Sequence, residues 1–309
     1  MKTVRIAMVA LALGNAARAS AGSLVGSVRA AADAHNYQLA EEEIQSYRAA
    51  AGITPEMLEA LSWLARSALD ARQYDRADRY AGETRKLIET ALAGRPLPPS
   101  LELALGAVLE VHAEVLAAAG KRQQAVAFLR EELSAYGSTP LAARIQKNIN
   151  LLTLEGKPAP ALDSRHWLGP QPQPLAALKG HPVLLFFWAH WCGDCKAEVP
   201  ILARLMRIYG PQGLVLIGPT ELYGYTAAGD ATPEQETRYI DQVRTRYYAP
   251  LAGMPVPLSA ENFEKYGAST TPTLVLLDSR GVVRLYHPGA MSYEALADRV
   301  KRIFGVRGS

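Results

Sequence analysis

Cys192 and Cys195 are the only cysteines in a chain of 309 residues. A bond between residues so close together closes a tiny loop and restrains little of the unfolded chain. Exported proteins stapled by structural disulfides carry several widely spaced cysteines. The spacing fits thiol-disulfide exchange instead: one thiolate attacks, and a second thiol one helical turn on resolves the mixed disulfide. Cys-x-x-Cys is equally familiar as half of a zinc site. Structural zinc would need two more soft ligands, yet no third cysteine exists, and His35, His112, His166, His181, His190 and His287 are scattered along the chain. Neither a metal nor a cofactor is expected.

Exchange chemistry demands a particular placement. The segment Trp188-Ala189-His190-Trp191-Cys192-Gly193-Asp194-Cys195-Lys196 follows an apolar run and opens a helical stretch. A thiol at a helix N-terminus faces unsatisfied backbone N–H groups and the positive end of the helix dipole, and both stabilise its thiolate. Cys192 is therefore assigned the attack and Cys195 the resolution. His190 is expected to face solvent. Glu198 should lie one helical turn beyond Cys195 on the same side, and Pro200 reads as a kink in that helix.

The elements that must hold this turn follow from the surrounding pattern. Val183 to Ala189, Leu214 to Gly218 and Thr273 to Leu277 read as buried strands, and Val282 to His287 as an edge strand paired through the turn Asp278-Ser279-Arg280-Gly281. Helical stretches start at Cys192, Pro233 and Tyr293. Their alternation with strands points to a three-layer α/β sandwich. The loop Pro219 to Thr232, with Glu221, Tyr223 and Tyr225, follows a parallel strand and emerges at the cysteine end of the sheet, so it is expected to shape substrate choice.

Residues 22–155 differ in texture, being rich in Ala, Leu, Glu and Arg with apolar positions at helical spacing such as Leu61, Leu64, Ala65, Ala68 and Leu69. Thr54-Pro55, Ser100 and Thr139-Pro140 read as helix starts, and Gly120 and Gly156 as helix ends. Asn36-Tyr37-Gln38-Leu39-Ala40, Gln73-Tyr74-Asp75-Arg76-Ala77 and Arg122-Gln123-Gln124-Ala125 align on their alanines. This resembles tetratricopeptide-like helical hairpins, although the irregular spacing leaves a generic helical bundle as the alternative. Residues 1–21 read as a signal peptide, with Lys2 and Arg5, the apolar run Ile6 to Leu13 and a small-residue cleavage region. An amphipathic first helix is the other reading. The leader holds three basic residues and no acid, so of 33 basic and 30 acidic residues the remainder carries 30 of each. That balance argues against a nucleic-acid or anionic-membrane surface.

Residues 156–309 resemble the TlpA/ResA branch of the thioredoxin superfamily. The resemblance rests on Gly156-Lys157-Pro158-Ala159-Pro160, on Leu175 to Pro182 leading into Phe186-Phe187-Trp188-Ala189-His190-Trp191-Cys192, on Glu198 and Pro200, and on Thr271-Pro272-Thr273. It implies an α-helical hairpin-repeat domain followed by an α/β thioredoxin-fold domain. It also implies a cis bond before Pro272, with the Thr271 backbone offered to an extended substrate, and Trp191, Thr271 and Pro272 as the substrate-binding residues. Glu198 would tune the cysteines as a proton acceptor, and Gly193 and Asp194 would set the redox poise. Thioredoxins proper carry a buried acid six residues before the first cysteine, where this chain has Phe186. Asp194 replaces the more usual proline or histidine, and its charge should raise the thiolate pKa. The function implied is periplasmic reduction of protein disulfides, with electrons from a membrane thiol-disulfide donor and a protein partner on the helical domain. Alternatives are a disulfide isomerase or oxidase, and an interaction protein whose thioredoxin module is vestigial.

Overall fold

Three helical hairpins repeat one turn. In this computed structural model, which describes residues 23–305, α1 (Leu24–Asp33) joins α2 (Tyr37–Ala51), α3 (Pro55–Asp70) joins α4 (Tyr74–Leu92), and α5 (Pro99–Ala118) joins α6 (Arg122–Tyr136). His35, Arg72 and Gly120 each adopt positive φ at the joint. At each joint two successive N–H groups turn back onto carbonyls of the preceding helix, His35 and Asn36 onto Ala32 and Ala31, Arg72 and Gln73 onto Leu69 and Ala68, Gly120 and Lys121 onto Ala117 and Leu116. This is the Schellman arrangement that satisfies the last carbonyls of a helix. Five residues beyond each positive-φ residue come Ala40, Ala77 and Ala125, all fully buried where the paired helices touch. The leader expected over residues 1–21 lies outside the described residues.

Helix starts are only partly as the sequence implies. Thr54 caps α3 by accepting the Met57 N–H, with Pro55 in the first turn. Ser100 caps nothing: Pro98 precedes a helix that already begins at Pro99, because a proline needs no partner for an amide it lacks. A seventh helix, α7 (Leu141–Thr153), closes the row, with Thr139 Oγ1 accepting the Leu141 N–H. It is tied to α5 by Glu110, which pairs with Arg144 and Lys147 at 2.8 Å each.

The second half is built on four strands ordered β3–β2–β7–β8, with β2 (Val183–Phe187) parallel to β3 (Val215–Ile217) and antiparallel to β7 (Thr273–Leu277), which pairs antiparallel with β8 (Val283–Pro288). Short strands β1 (Trp167–Leu168) and β6 (Val256–Pro257) pair beside it, and β4 (Tyr225–Thr226) and β5 (Gly229–Asp230) form a hairpin within the loop after β3. Every residue of β2 and β7 is buried. The two-residue period explains how. Leu184, Phe186, Leu274 and Leu276 pack with α8 (Gly193–Tyr209), α9 (Pro233–Tyr247) and α11 (Tyr293–Gly305), whereas Leu185, Phe187, Val275 and Leu277 pack with α10 (Ala260–Tyr266). The layers are those of the expected sandwich. β2 and β3 stop short of the expected ends because Trp188 leaves the ladder, its backbone N–H going to Pro219 O and its indole N–H to Gly218 O.

Gly156 and Ala159 donate to Val283 O and Gly281 O, so residues 156–159 cover the open side of β8, which would otherwise offer unpaired backbone. α7 seats on the α10 layer. Leu154 joins that core, Asn150 Nδ2 donates to Lys265 O, and Gly267, at φ 57°, lies so close that an added Cβ would fall 2.3 Å from Lys147 N. Gly281, at φ 79°, has open space where its Cβ would be. Gly281→Ala is therefore expected to cost about 1 kcal/mol, from the left-handed backbone alone. Gly267→Ala should exceed it by about 2 kcal/mol, since the backbone of α7 cannot yield as a side chain could. Denaturant unfolding measures both; equal losses would contradict the close seating of α7.

Candidate active site

Cys192 stands where β2 has ended and α8 begins. Its backbone is extended, and its sulfur accepts the Cys195 N–H at 3.0 Å, as a capping side chain does. The two cysteines are joined in a disulfide. Cys195, in the first turn, is fully buried, and Cys192 itself is only 3% exposed. The distinction between them is thus less one of exposure than of position: the Cys195 N–H and the helix N-terminus face the Cys192 sulfur and so favour its thiolate.

Opposite, the Thr271–Pro272 peptide is cis, and Thr271 O lies 3.5 Å from Cys192 Sγ. In the disulfide that sulfur has no proton to give, so a hydrogen bond there forms only with the reduced thiol. Thr271 Oγ1 is buried without a protein partner. Trp191, the residue before Cys192, is 50% exposed. Gly193 and Asp194 are exposed between the cysteines, so water screens the Asp194 charge.

Glu198 is buried in α8, where its Oε1 accepts the Met291 N–H at 3.2 Å. Neither nearby cation is turned to it: Lys196 sits over the Tyr247 ring and Arg204 over Tyr293. Burial pushes the Glu198 carboxyl up, the Met291 N–H offsets part of that, and Asp194 adds to it. A carboxyl raised in this way, one turn from Cys195, can hold or release a proton closer to neutrality than an exposed one.

His190 corrects the expectation of a solvent-facing ring. It is 2% exposed, its Nε2 lies 3.2 Å from Glu236 Oε1, and it is ringed edge-on by Tyr223, Tyr225 and Tyr239. The residue follows Ala189 off the end of β2, and the hairpin β4–β5 folds over it, which local sequence does not show. Burial pushes its pKa down, only partly opposed by Glu236. Neither Glu236 nor Tyr239 stands out in the sequence; Glu236 reads there as one more acid in a helix's first turn. The site thus gathers Cys192, Cys195, Glu198, Trp191, Thr271 and Pro272 and adds His190 and Glu236 next to them. Tyr223 lies edge-on to Trp191, with ring centroids 5.5 Å apart, which brings the loop after β3 against the residue that precedes Cys192.

Residues 173–303 match the family described as a thioredoxin-like domain. The thiol:disulfide interchange protein DsbE of Xylella fastidiosa is 28% identical over 148 residues, 48% of this chain and 68% of its own length. The thiol-disulfide oxidoreductase ResA of Geobacillus thermodenitrificans is 25% identical over 133 residues, 42% of this chain and 67% of its own. The crystal structure of a thioredoxin-family thiol:disulfide interchange protein from Chlorobium tepidum superposes with a TM-score of 0.36 at 20% identity, covering 49% of this chain and 98% of that one. Seven helices are therefore followed by a thioredoxin-like α/β domain.

Within the loop after β3, burial, reinforced by Glu264 and Glu236, pushes Glu221 up to about 7. Its folded value lies above the ordinary 4.5, so the folded state holds a proton that the unfolded chain has released, and stability falls as pH rises through that window. Above the folded value the loss is complete. Glu221→Gln should flatten the pH dependence between about 5 and 7.5 in denaturant unfolding; an unchanged slope would contradict the shift.

Proposed function

We propose that the chain is an extracytoplasmic thiol-disulfide oxidoreductase that reduces protein disulfides through Cys192 and Cys195. The observation that carries this reading is the Cys192 sulfur at the cap of α8, accepting the Cys195 N–H and facing the Thr271 carbonyl across 3.5 Å. The names of the DsbE and ResA relatives support it. Export rests on the leader-like residues 1–21. The domain division at 155/156 follows the change in composition, and residues 22–155 are read as tetratricopeptide-like hairpins that hold a protein partner.

In the reduced protein, the Cys192 thiolate attacks one sulfur of a substrate disulfide. That S–S bond breaks, its electron pair leaves on the other substrate sulfur, which takes up a proton, and a mixed disulfide forms on Cys192. Cys195 loses its proton, with Glu198 as acceptor, and attacks the Cys192 sulfur. The second substrate thiolate departs and is protonated, leaving the Cys192–Cys195 disulfide and a dithiol substrate. A membrane dithiol donor restores the reduced pair by the same exchange in reverse. The Thr271 backbone offers strand-like pairing to an extended substrate segment, and Trp191 gives it an apolar face.

Reduction of insulin with dithiothreitol as donor tests the reading. Activity should require Cys192, and Cys195→Ser should accumulate a mixed disulfide on Cys192; a Cys192→Ser protein that still reduces insulin would overturn it. The direction of electron flow is tested separately at Asp194. A charge coupling of about 1 kcal/mol, further reduced by screening at this exposed position, corresponds to some ~20 mV or less for a two-electron couple. Asp194→His should make the protein more oxidising on equilibration with glutathione. A potential unchanged or more reducing would remove the electrostatic argument for a reductase.

A further inference from the structure

Glu236 is a carboxylate with no exposed surface, and it gathers donors from two separate segments. Its Oε1 accepts the Tyr223 N–H at 2.6 Å and lies 3.2 Å from His190 Nε2; its Oε2 accepts the Gly224 N–H at 2.7 Å. Carboxylates are not buried this far without such partners. Capping does not explain it, because α9 already has a complete capping box from Thr232 and Gln235. Since a carboxylate only accepts, the proton on His190 must sit on Nε2. Burial favours the neutral form of the ring, and Glu236 opposes part of that. Lys196 is the remaining charge that acts on it, and the other neighbours are the rings of Tyr223, Tyr225 and Tyr239.

We propose that His190 and Glu236 form a buried clasp that fixes the Tyr223–Tyr225 segment as a wall of the substrate site, making them positioning residues for recognition of protein disulfides. The inference rests on the reading of Cys192 and Cys195 as an exchange centre. His190 belongs to the turn that carries Cys192, only two residues away, whereas Tyr223 and Gly224 belong to the loop after β3. The carboxylate therefore sets the distance between the attacking sulfur and the loop. Tyr223 in turn lies edge-on to Trp191, so the clasp also holds the half-exposed ring of the residue before Cys192. A small disulfide needs only the sulfur and its immediate surroundings. A folded substrate must also fit the wall.

The test uses the full chain with dithiothreitol as donor, and compares reduction of insulin with that of a small aromatic disulfide, 5,5′-dithiobis(2-nitrobenzoic acid). Glu236→Gln keeps the shape but turns an acceptor into a donor against one backbone N–H, and His190→Leu removes the ring donor. Both should raise KM for insulin at least five-fold with a much smaller change in kcat, and the loss in kcat/KM should be at least five-fold larger for insulin than for the small disulfide. His190→Gln, whose amide nitrogen reaches as far as Nε2, should recover most of the loss. Equal losses on both substrates, an unaltered insulin KM, or no recovery by His190→Gln would overturn the proposal. Amide hydrogen exchange gives an arm independent of activity: Tyr223 and Gly224 should lose at least ten-fold protection in Glu236→Gln. Equal exchange in both proteins would overturn the clasp, whereas a wild-type protein that protects these amides but reduces neither disulfide would refute the exchange reading alone.

Discussion

A sulfur that caps a helix ties this molecule's chemistry to its architecture. Cys192 takes the place of the oxygen that would ordinarily accept the first-turn N–H, and the Cys195 amide donates to it. For that N–H to point at a sulfur, the chain must leave a strand and enter a helix within a few residues. It does so at Trp188, whose N–H, indole and carbonyl are all tied to the residues leaving β3, the carbonyl by the Thr220 hydroxyl. The buried β2 ladder fixes the turn from behind, the cis Thr271–Pro272 peptide bounds it in front, and the loop after β3 closes it at the side.

Burial does two kinds of work around this turn. On the α8 side it raises Glu198, a carboxyl left with one backbone donor from Met291. At Glu236 three donors meet one carboxylate, and the group ties the turn to the loop after β3. The number of hydrogen bonds separates the two carboxylates more than their depth, since both are almost wholly covered.

The helical half is not a loose appendage. α7 lies on α10 with Gly267 against its backbone, and the chain then runs along β8 before entering the α/β sandwich. The α10 layer also contains Phe187, whose neighbour Trp188 packs with the cysteines and α8 on the other face, so the helical row and the cysteine turn lie on opposite sides of the same sheet and meet through β2.

Local sequence determined the cysteine pair and its helix start, the buried strands, and the helical first half with its repeated hairpin turns. Each of these rests on short-range physics: a two-residue or 3.6-residue apolar period, a small residue at a close helix crossing, a proline or threonine at a helix start. Thr271-Pro272 was legible only through a family resemblance, since nothing in the local pattern requires a cis bond. Tertiary structure alone decided the surroundings of His190. Its neighbours in the chain suggest an exposed turn, but Glu236 lies 46 residues on, and Tyr223 and Tyr225 reach it only when the loop after β3 folds back. It decided likewise that Ser100 would cap nothing and that Glu198 would bond a backbone amide from a segment 93 residues away. Contacts of that separation depend on how the sheet orders its strands, and no local period encodes that order.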